Sequence, residues 1–342
     1  MTCHAYLKLF LAAILFRLQI AKASFSLVAT DAKTRQVGGV GATCLSKLWG
    51  LDVFNSLHIS APNRSVLVNQ GWLDFFPENS ILKVAKESMR NSTSETVLES
   101  MTEIDTLHKG FSDGVSFPLK NIRQYVTTDF ESSACYTGSD LRVFWETMGY
   151  NDTEITDIAM MHGKNDRFRT HAAGNAVAHG TVRALQDGFK NSEDSPFGVP
   201  EDDLAGRLMS ALQQVISEDG TLGDVRCQEE KGVSSSVAYI HIDNPDGTTL
   251  LHIHIQDRIE PVEYVAQNFL KWRAANVTSD GEWTYEDFGI DDDDELFLED
   301  PDEFVWEDDA FLSLVTASGR HHRSGLMSPV LFGLVAVVVT II

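Results

Sequence analysis

Apolar and polar positions alternate from residue 24 onwards. Phe25, Leu27 and Ala29 fall on one side of a period of two and Ser24, Ser26 and Val28 on the other, which predicts a strand over 24–30. A polar turn over 31–36 leads into a glycine-rich extended run over 37–44, so the pair reads as a hairpin. Further extended runs follow at 57–61 and 66–69. The period then becomes helical. Ile81, Leu82, Ala85 and Met89 share one face, and Ser92-Thr93-Ser94-Glu95 has the form of a capping box opening a second helix through Val97, Leu98 and Met101. Strand-like runs return at 123–128 and 133–137. Helical runs follow at 176–189 and 203–216, the latter with Leu204, Leu208, Leu212 and Ile216 four apart. Strands over 233–242 and 248–255 flank the turn Asn244-Pro245-Asp246-Gly247, and a last helix is predicted over 261–272. Strands grouped with strands and helices with helices argue for an α+β fold of stacked layers, with two antiparallel sheets face to face and helices outside.

The two ends read differently from this body. Lys8 precedes a short apolar run over 9–16, and Ala21-Lys22-Ala23 fits the small-x-small rule for signal-peptide cleavage, so the mature chain is expected to begin at Ser24. Arg17 and Gln19 keep the run well short of the roughly 20 residues that span a bilayer. At the far end an apolar stretch over 330–342 follows Ala317-Ser318-Gly319 and a polar spacer over 320–329. That order is that of a GPI-attachment signal, with a short single-pass anchor as the alternative. The chain therefore divides into a signal peptide (1–23), a folded domain (24–275), an acidic stalk expected to be disordered (276–318) and an anchor signal (319–342). It is expected on the secretory route, at the extracellular face of the plasma membrane. The sequons at Asn63, Asn91, Asn151 and Asn276 then become candidate glycan sites.

Charge and cysteine content narrow the function classes. The net charge is -23, but sixteen acidic and no basic residues fall within 280–309. Such a block is a solvated, self-repelling stalk or, given Trp283, Tyr285, Phe288, Phe297, Phe304 and Trp306, a segment that binds a partner. The run Asp291-Asp292-Asp293-Asp294-Glu295 lacks the spacing of a calcium loop, and so acidic a chain does not suit nucleic acid. Cys44, Cys135 and Cys227 remain after Cys3 leaves with the signal peptide, enough for one disulfide whose pairing the sequence leaves open. His252 and His254 share a strand face and His241 lies on the preceding strand, but no full ligand set accompanies them, so no metal is expected. Phosphate-loop, dinucleotide and zinc-protease motifs are missing, so no cofactor is implied.

The chemistry concentrates on Ser24. Cleavage after Ala23 would put a hydroxyl and a free α-amine on one residue. An amine with a pKa near 7.7–8.0 can take the hydroxyl proton and activate Oγ without a histidine. The opening Ser24-Phe25-Ser26-Leu27-Val28-Ala29-Thr30-Asp31 and Val37-Gly38-Gly39-Val40-Gly41-Ala42 resembles that of the DUF1028 family. Further matches in family order are Tyr136-Thr137-Gly138, Gly174-Asn175, the run over 204–211, Gly223-Asp224-Val225-Arg226 and Ser234-Ser235-Ser236-Val237-Ala238. The family is assigned to the N-terminal nucleophile (Ntn) hydrolases, so the resemblance implies a four-layer αββα sandwich with Ser24 as nucleophile. By the same analogy Asn175 would help form an oxyanion hole, where one placed donor is worth roughly 2.7–4 kcal/mol. The plainer reading of Asn175 is the N-cap of the helix predicted after it. Asp224 and Arg226 read either as an ion pair beneath the site or as a surface loop pair worth under about 1 kcal/mol. The segment over 139–170 departs from the family, as does Ala173, where relatives commonly carry Gln.

Two functions follow. One is a surface-anchored amidohydrolase acting on a small-molecule or peptide amide, or another acyl bond. The other is a catalytically inactive surface protein of the same fold that binds a ligand or partner. Assembly into a homo-oligomer is left open by both.

Overall fold

The alternation over 24–30 forms an inner strand of a six-stranded sheet. In the computed structural model the described residues are 21–22, 24–44, 53–72, 81–112, 115–147, 156–192, 197, 203–216, 222–256 and 258–276, all within a first compact unit, 1–297. Residues 1–20, Ala23, Asn151 and residues 277–342, where the stalk and anchor signal are expected, lie outside them. Among the described residues no helix is long and apolar enough to cross a membrane.

The strands are β1 (Ala21–Lys22), β2 (Ser24–Asp31), β3 (Val37–Thr43), β4 (His58–Ala61), β5 (Ser65–Trp72), β6 (Lys109–Ser112), β7 (Val115–Pro118), β8 (Arg123–Asp129), β9 (Ser133–Thr137), β10 (Thr156–Lys164), β11 (Phe168–Ala178), β12 (Val237–Asp243) and β13 (Thr249–Gln256). The helices are α1 (Val53–Leu57), α2 (Ile81–Met89), α3 (Ser94–Asp105), α4 (Leu141–Thr147), α5 (Thr181–Lys190), α6 (Leu204–Gln213), α7 (Val225–Lys231) and α8 (Pro261–Asn276). Among the described residues the fold is mixed, with two large antiparallel sheets and a two-stranded one, β6-β7. One large sheet runs β10-β11-β2-β3-β12-β13; the other runs β1-β5-β8-β9, with β4 also on β5.

Strand periodicity sorts the side chains into separate cores. Phe25, Leu27, Ala29, Val40, Ala42, Ile240, Ile242 and Ile253 turn one face of the six-stranded sheet towards α5, α6 and α8, meeting Val182, Leu185, Leu208, Leu212, Val265 and Phe269. On the other sheet, Ile59, Leu67 and Tyr125 pack under Ile81, Ala85 and Met89 of α2 and Val97 and Met101 of α3. The two sheets touch through Val28, Val37, Val66, Val68, Val126 and Ala173. At about 1.5–3 kcal/mol per fully buried aliphatic side chain, these contacts supply the main drive for folding.

Several sequence expectations need correcting. The helix predicted over 176–189 begins only at Thr181, with Gly180 (φ 93°) at its N-cap. Ala176, Val177 and Ala178 instead prolong β11, because β10, which the periodicity did not reveal, pairs along its whole length. Asn175 is thus a strand residue, and its N-cap reading falls. The α3 cap is Thr93 rather than Ser92, and Glu95 accepts from Ser132 Oγ at 2.6 Å instead of closing a capping box. Helices α4 and α7 were also missed, being seven residues each, too short to show a period.

The open cysteine question is resolved as Cys44–Cys227, a bond across 183 residues that ties the end of β3 to α7 and leaves Cys135 exposed and free. Replacing both bonded cysteines by alanine is expected to lower stability by about 2–5 kcal/mol, read as a shift in urea midpoint. An unshifted midpoint would show that this loop closure contributes nothing.

Candidate functional site

The strand alternation that buries Phe25 and Leu27 against the helices turns Ser24, Ser26 and Val28 towards the facing sheet. Ser24 is the first residue of β2 and lies opposite Asn175 of β11 on one side and Thr43 of β3 on the other. Thr43 in turn opposes Val237 of β12, and Val237 opposes Gln256 of β13. One cross-strand row therefore carries Asn175, Ser24 and Thr43 side by side. Ser24 is 2% exposed and Asn175 wholly buried.

Across the gap between the sheets stand Gln70 of β5 and Gln124 of β8, both fully buried. Gln70 contacts Ser26 Oγ, and the Asn175 side-chain amide lies 2.9 Å from Gln70 and 3.3 Å from Gln124. Hydrogen-bond logic fixes the orientation of the Gln70 amide. Gln70 is satisfied when Oε1 accepts from Ser26 N–H (3.2 Å) and Oγ, while Nε2 donates to Ser24 O (3.2 Å) and Gln124 Oε1 (2.9 Å). With both Gln70 N–H groups so used, Asn175 Nδ2 donates to Gln124 Oε1 at 3.3 Å. Asn175 Oδ1 is buried without a hydrogen-bond partner. A buried carbonyl oxygen left unbonded costs about 1–3 kcal/mol, so this one is an acceptor in want of a donor.

Asp224 and Arg226 form a buried pair rather than the surface one considered above. Asp224 is fully buried, and its Oδ2 accepts from Arg226 Nη2 at 2.8 Å and from Cys44 N–H at 2.9 Å. Its backbone bridges to Val177, two residues beyond Asn175. One residue thus ties together the chain after Thr43, the chain after Asn175 and the start of α7, which its side chain caps. The Arg226 guanidinium lies 5.6 Å from the Trp145 ring. Asp224 and Arg226 thus contact the chain next to the row that holds Ser24.

The three histidines singled out in the sequence do assemble, with a fourth that the sequence did not suggest. His241 and His252 bring their Nδ1 atoms to 3.1 Å, and His241 Nε2 meets Asp243 Oδ1 at 3.1 Å. His58 joins the group from β4, its ring 5.1 Å from that of His241. Phe54 lies among them, 4.5 Å from His252 and 6.1 Å from His254 between ring centres. Gly39 and Gly41 explain the glycine-rich strand: a Cβ on them would come within 3.1 Å of the His58 ring and 2.9 Å of the Tyr239 ring. Burial and the neighbouring imidazole of His241 hold His58 well below the usual histidine value, and the same causes bring His252 to about 3. His58 and His252 are thereby packed as neutral rings. Among the described residues no group of three or more histidine, cysteine, aspartate or glutamate side chains has the geometry to hold a metal ion.

Of the sequons, Asn63, Asn91 and Asn276 are exposed. Asn63 sits at φ 58° in the β4–β5 turn and accepts from Arg35 Nε at 2.9 Å.

No family model matches this chain, and no curated protein matches it. Among solved structures, it is similar to a crystal structure of a Silicibacter pomeroyi protein whose title gives the family as DUF1028. The identity is 19%, the TM-score 0.49, and the likeness covers 73% of this chain and 85% of that one.

Proposed function

We propose that this chain is a secreted or surface-anchored amidohydrolase of the N-terminal nucleophile type, with Ser24 exposed as the first residue by signal-peptide cleavage. The observation that carries this reading is the row Asn175–Ser24–Thr43, which places the buried Asn175 amide on the strand next to Ser24. The arrangement of α2 and α3 on one sheet and α5, α6 and α8 on the other supports reading the layers as an αββα sandwich.

In the mature chain the Ser24 α-amine takes the Oγ proton, and Oγ attacks the carbonyl carbon of the amide. The C–Oγ bond forms, and the carbonyl oxygen becomes an oxyanion within reach of Asn175 Nδ2. Collapse breaks the C–N bond, and the α-ammonium returns its proton to the departing amine. Water, deprotonated by the same α-amine, then attacks the ester. The acid leaves, and Oγ regains its proton. Gln70 supports this arrangement, donating to Ser24 O and to Gln124 Oε1, which in turn accepts from Asn175 Nδ2.

The secretory route is part of the proposal. A disulfide between Cys44 and Cys227 suits an oxidising compartment, and exposed Asn63, Asn91 and Asn276 suit glycan acceptors. The GPI or single-pass anchor rests on the sequence alone.

The test begins with the mature N-terminus of protein secreted from eukaryotic cells, followed by an amide-substrate screen. Unblocked Ser24 and turnover that falls at least a thousandfold in Ser24→Ala, with folding kept, are the expected results. A different or blocked N-terminus, or undiminished turnover in Ser24→Ala, rejects the mechanism. The inactive ligand-binding alternative draws on one observation, the 2% exposure of Ser24 while the preceding residues are still attached.

A further inference from the structure

The residues just ahead of Ser24 lie in the other sheet. β1 pairs antiparallel with β5, Ala21 opposite Trp72 and Lys22 opposite Gly71. β8 occupies one edge of β5 from Ser65 to Gly71, and β4 covers the opposite edge only from Ser65 to Val68. Beyond Val68, among the described residues, β1 is the strand that pairs with this second edge. Cleavage after Ala23 removes it. The mature protein is then left with an unpaired backbone edge along Gly71–Trp72, one residue from the side chain of Gln70 that reaches Ser24 and Asn175.

We propose that this vacated edge is the subsite for the acyl side of the substrate, and that the substrate class is an extended peptide added as a strand at Gly71–Trp72. The inference rests on Ser24 being the nucleophile. Before cleavage the carbonyl of residue 23 is bonded to Ser24 N; during turnover the substrate carbonyl is bonded to Ser24 Oγ, three bonds away on the same residue. An acyl chain leaving Ser24 in an extended conformation therefore begins where the departed segment began and meets the same edge. Strand addition of this kind reads backbone N–H and C=O groups at alternate residues, which a peptide carries and a simple acyl group does not. Gly71 suits the role. Its φ of 84° and the 2.6 Å approach of a Cβ to Ile122 O exclude a side chain there, so the edge stays open to a partner backbone.

Antiparallel pairing alternates residues that exchange both backbone hydrogen bonds with residues that exchange none. The departed segment itself supplies the probe, acetyl-Ala-Lys-Ala p-nitroanilide, offered to the full chain as processed and secreted by eukaryotic cells. Hydrolysis is expected, and N-methylation at the first alanine or at the lysine should lower kcat/KM about tenfold or more at one of these positions and little at the other. Equal rates for both methylated probes and the parent, with turnover still dependent on Ser24, would overturn the edge while leaving the nucleophile standing. Binding is read separately in Ser24→Ala by backbone hydrogen exchange with acetyl-Ala-Lys-Ala amide. Protection at residue 71 or 72 supports the subsite even if the wild type proves inactive, an outcome that sinks only the nucleophile. No protection at saturating peptide overturns the subsite.

Discussion

Moving the protein from pH 7 to pH 5 is expected to remove about 3–4 kcal/mol of stability through His171 and His252 alone. Burial, with a smaller effect from His162, brings His171 to about 4, and burial with His241 and His254 brings His252 to about 3. In the unfolded chain both titrate near 6.5. A folded pKa below the unfolded one means that protons bind the unfolded state first. The stabilising contribution is whole above pH 6.5 and is lost as pH falls from there towards the folded values. At pH 5 each neutral ring forgoes about 2 kcal/mol of protonation that the unfolded chain enjoys, with His252, the more exposed, giving the smaller share because solvent screens it. His58 acts in the same direction, its ring buried beside His241 and Phe54. Against a usual total of about 5–15 kcal/mol, this is a large fraction. Urea midpoints at the two pH values measure it, and His171→Leu should flatten the slope by that residue's share. Equal midpoints at pH 7 and 5 would mean that the rings protonate in place without cost.

The second large effect is expected at Asp105, at the end of α3. Its Oδ1 accepts from Arg123 Nη1 at 2.7 Å and its Oδ2 from Tyr125 O–H at 2.7 Å, with His108 Nδ1 at 3.3 Å. Arg123 is 1% exposed and Asp105 wholly buried. Asp105→Ala leaves a guanidinium in the interior without its counter-charge, and breaking such a pair costs about 3–5 kcal/mol. Truncating both partners, Asp105→Ala with Arg123→Met, should recover much of that, since the stranded charge rather than the lost attraction dominates. Thermal and urea unfolding of the single and double variants decide it. A single variant within about 0.5 kcal/mol of wild type would show that water reaches Arg123. The pair also closes one end of β8, the strand that brings Gln124 to the Asn175 amide, so loss of turnover at permissive temperature should track loss of stability in these variants.

Local pattern alone was enough to locate the first hairpin, the strands at 57–61, 66–69, 123–128 and 133–137, the α6 helix and the closing β12–β13 hairpin with α8. The reason is physical: a half-buried strand or helix repeats its apolar side every two or nearly four residues, whatever it packs against. Which face of β2 was which also followed from sequence, since Phe25 and Leu27 must leave water and Ser24 and Ser26 go the other way. Where the period failed, pairing had decided. Ala176 to Ala178 joined β11 because β10 lay alongside, and no window of sequence around Asn175 contains β10. The same holds for the site. Ser24, Asn175, Asp224 and Arg226 were recognisable by residue type, but Gln70 and Gln124 carried no signal of their own. They matter because the two sheets face each other at that end, and a buried amide there must find its partners across the gap. His58 entered the histidine group, and Cys227 rather than Cys135 found Cys44, for the same reason. Composition and periodicity determined the elements and their faces; contacts between residues distant in the chain, which cost loop entropy and depend on the whole packed structure, were decided by the tertiary fold.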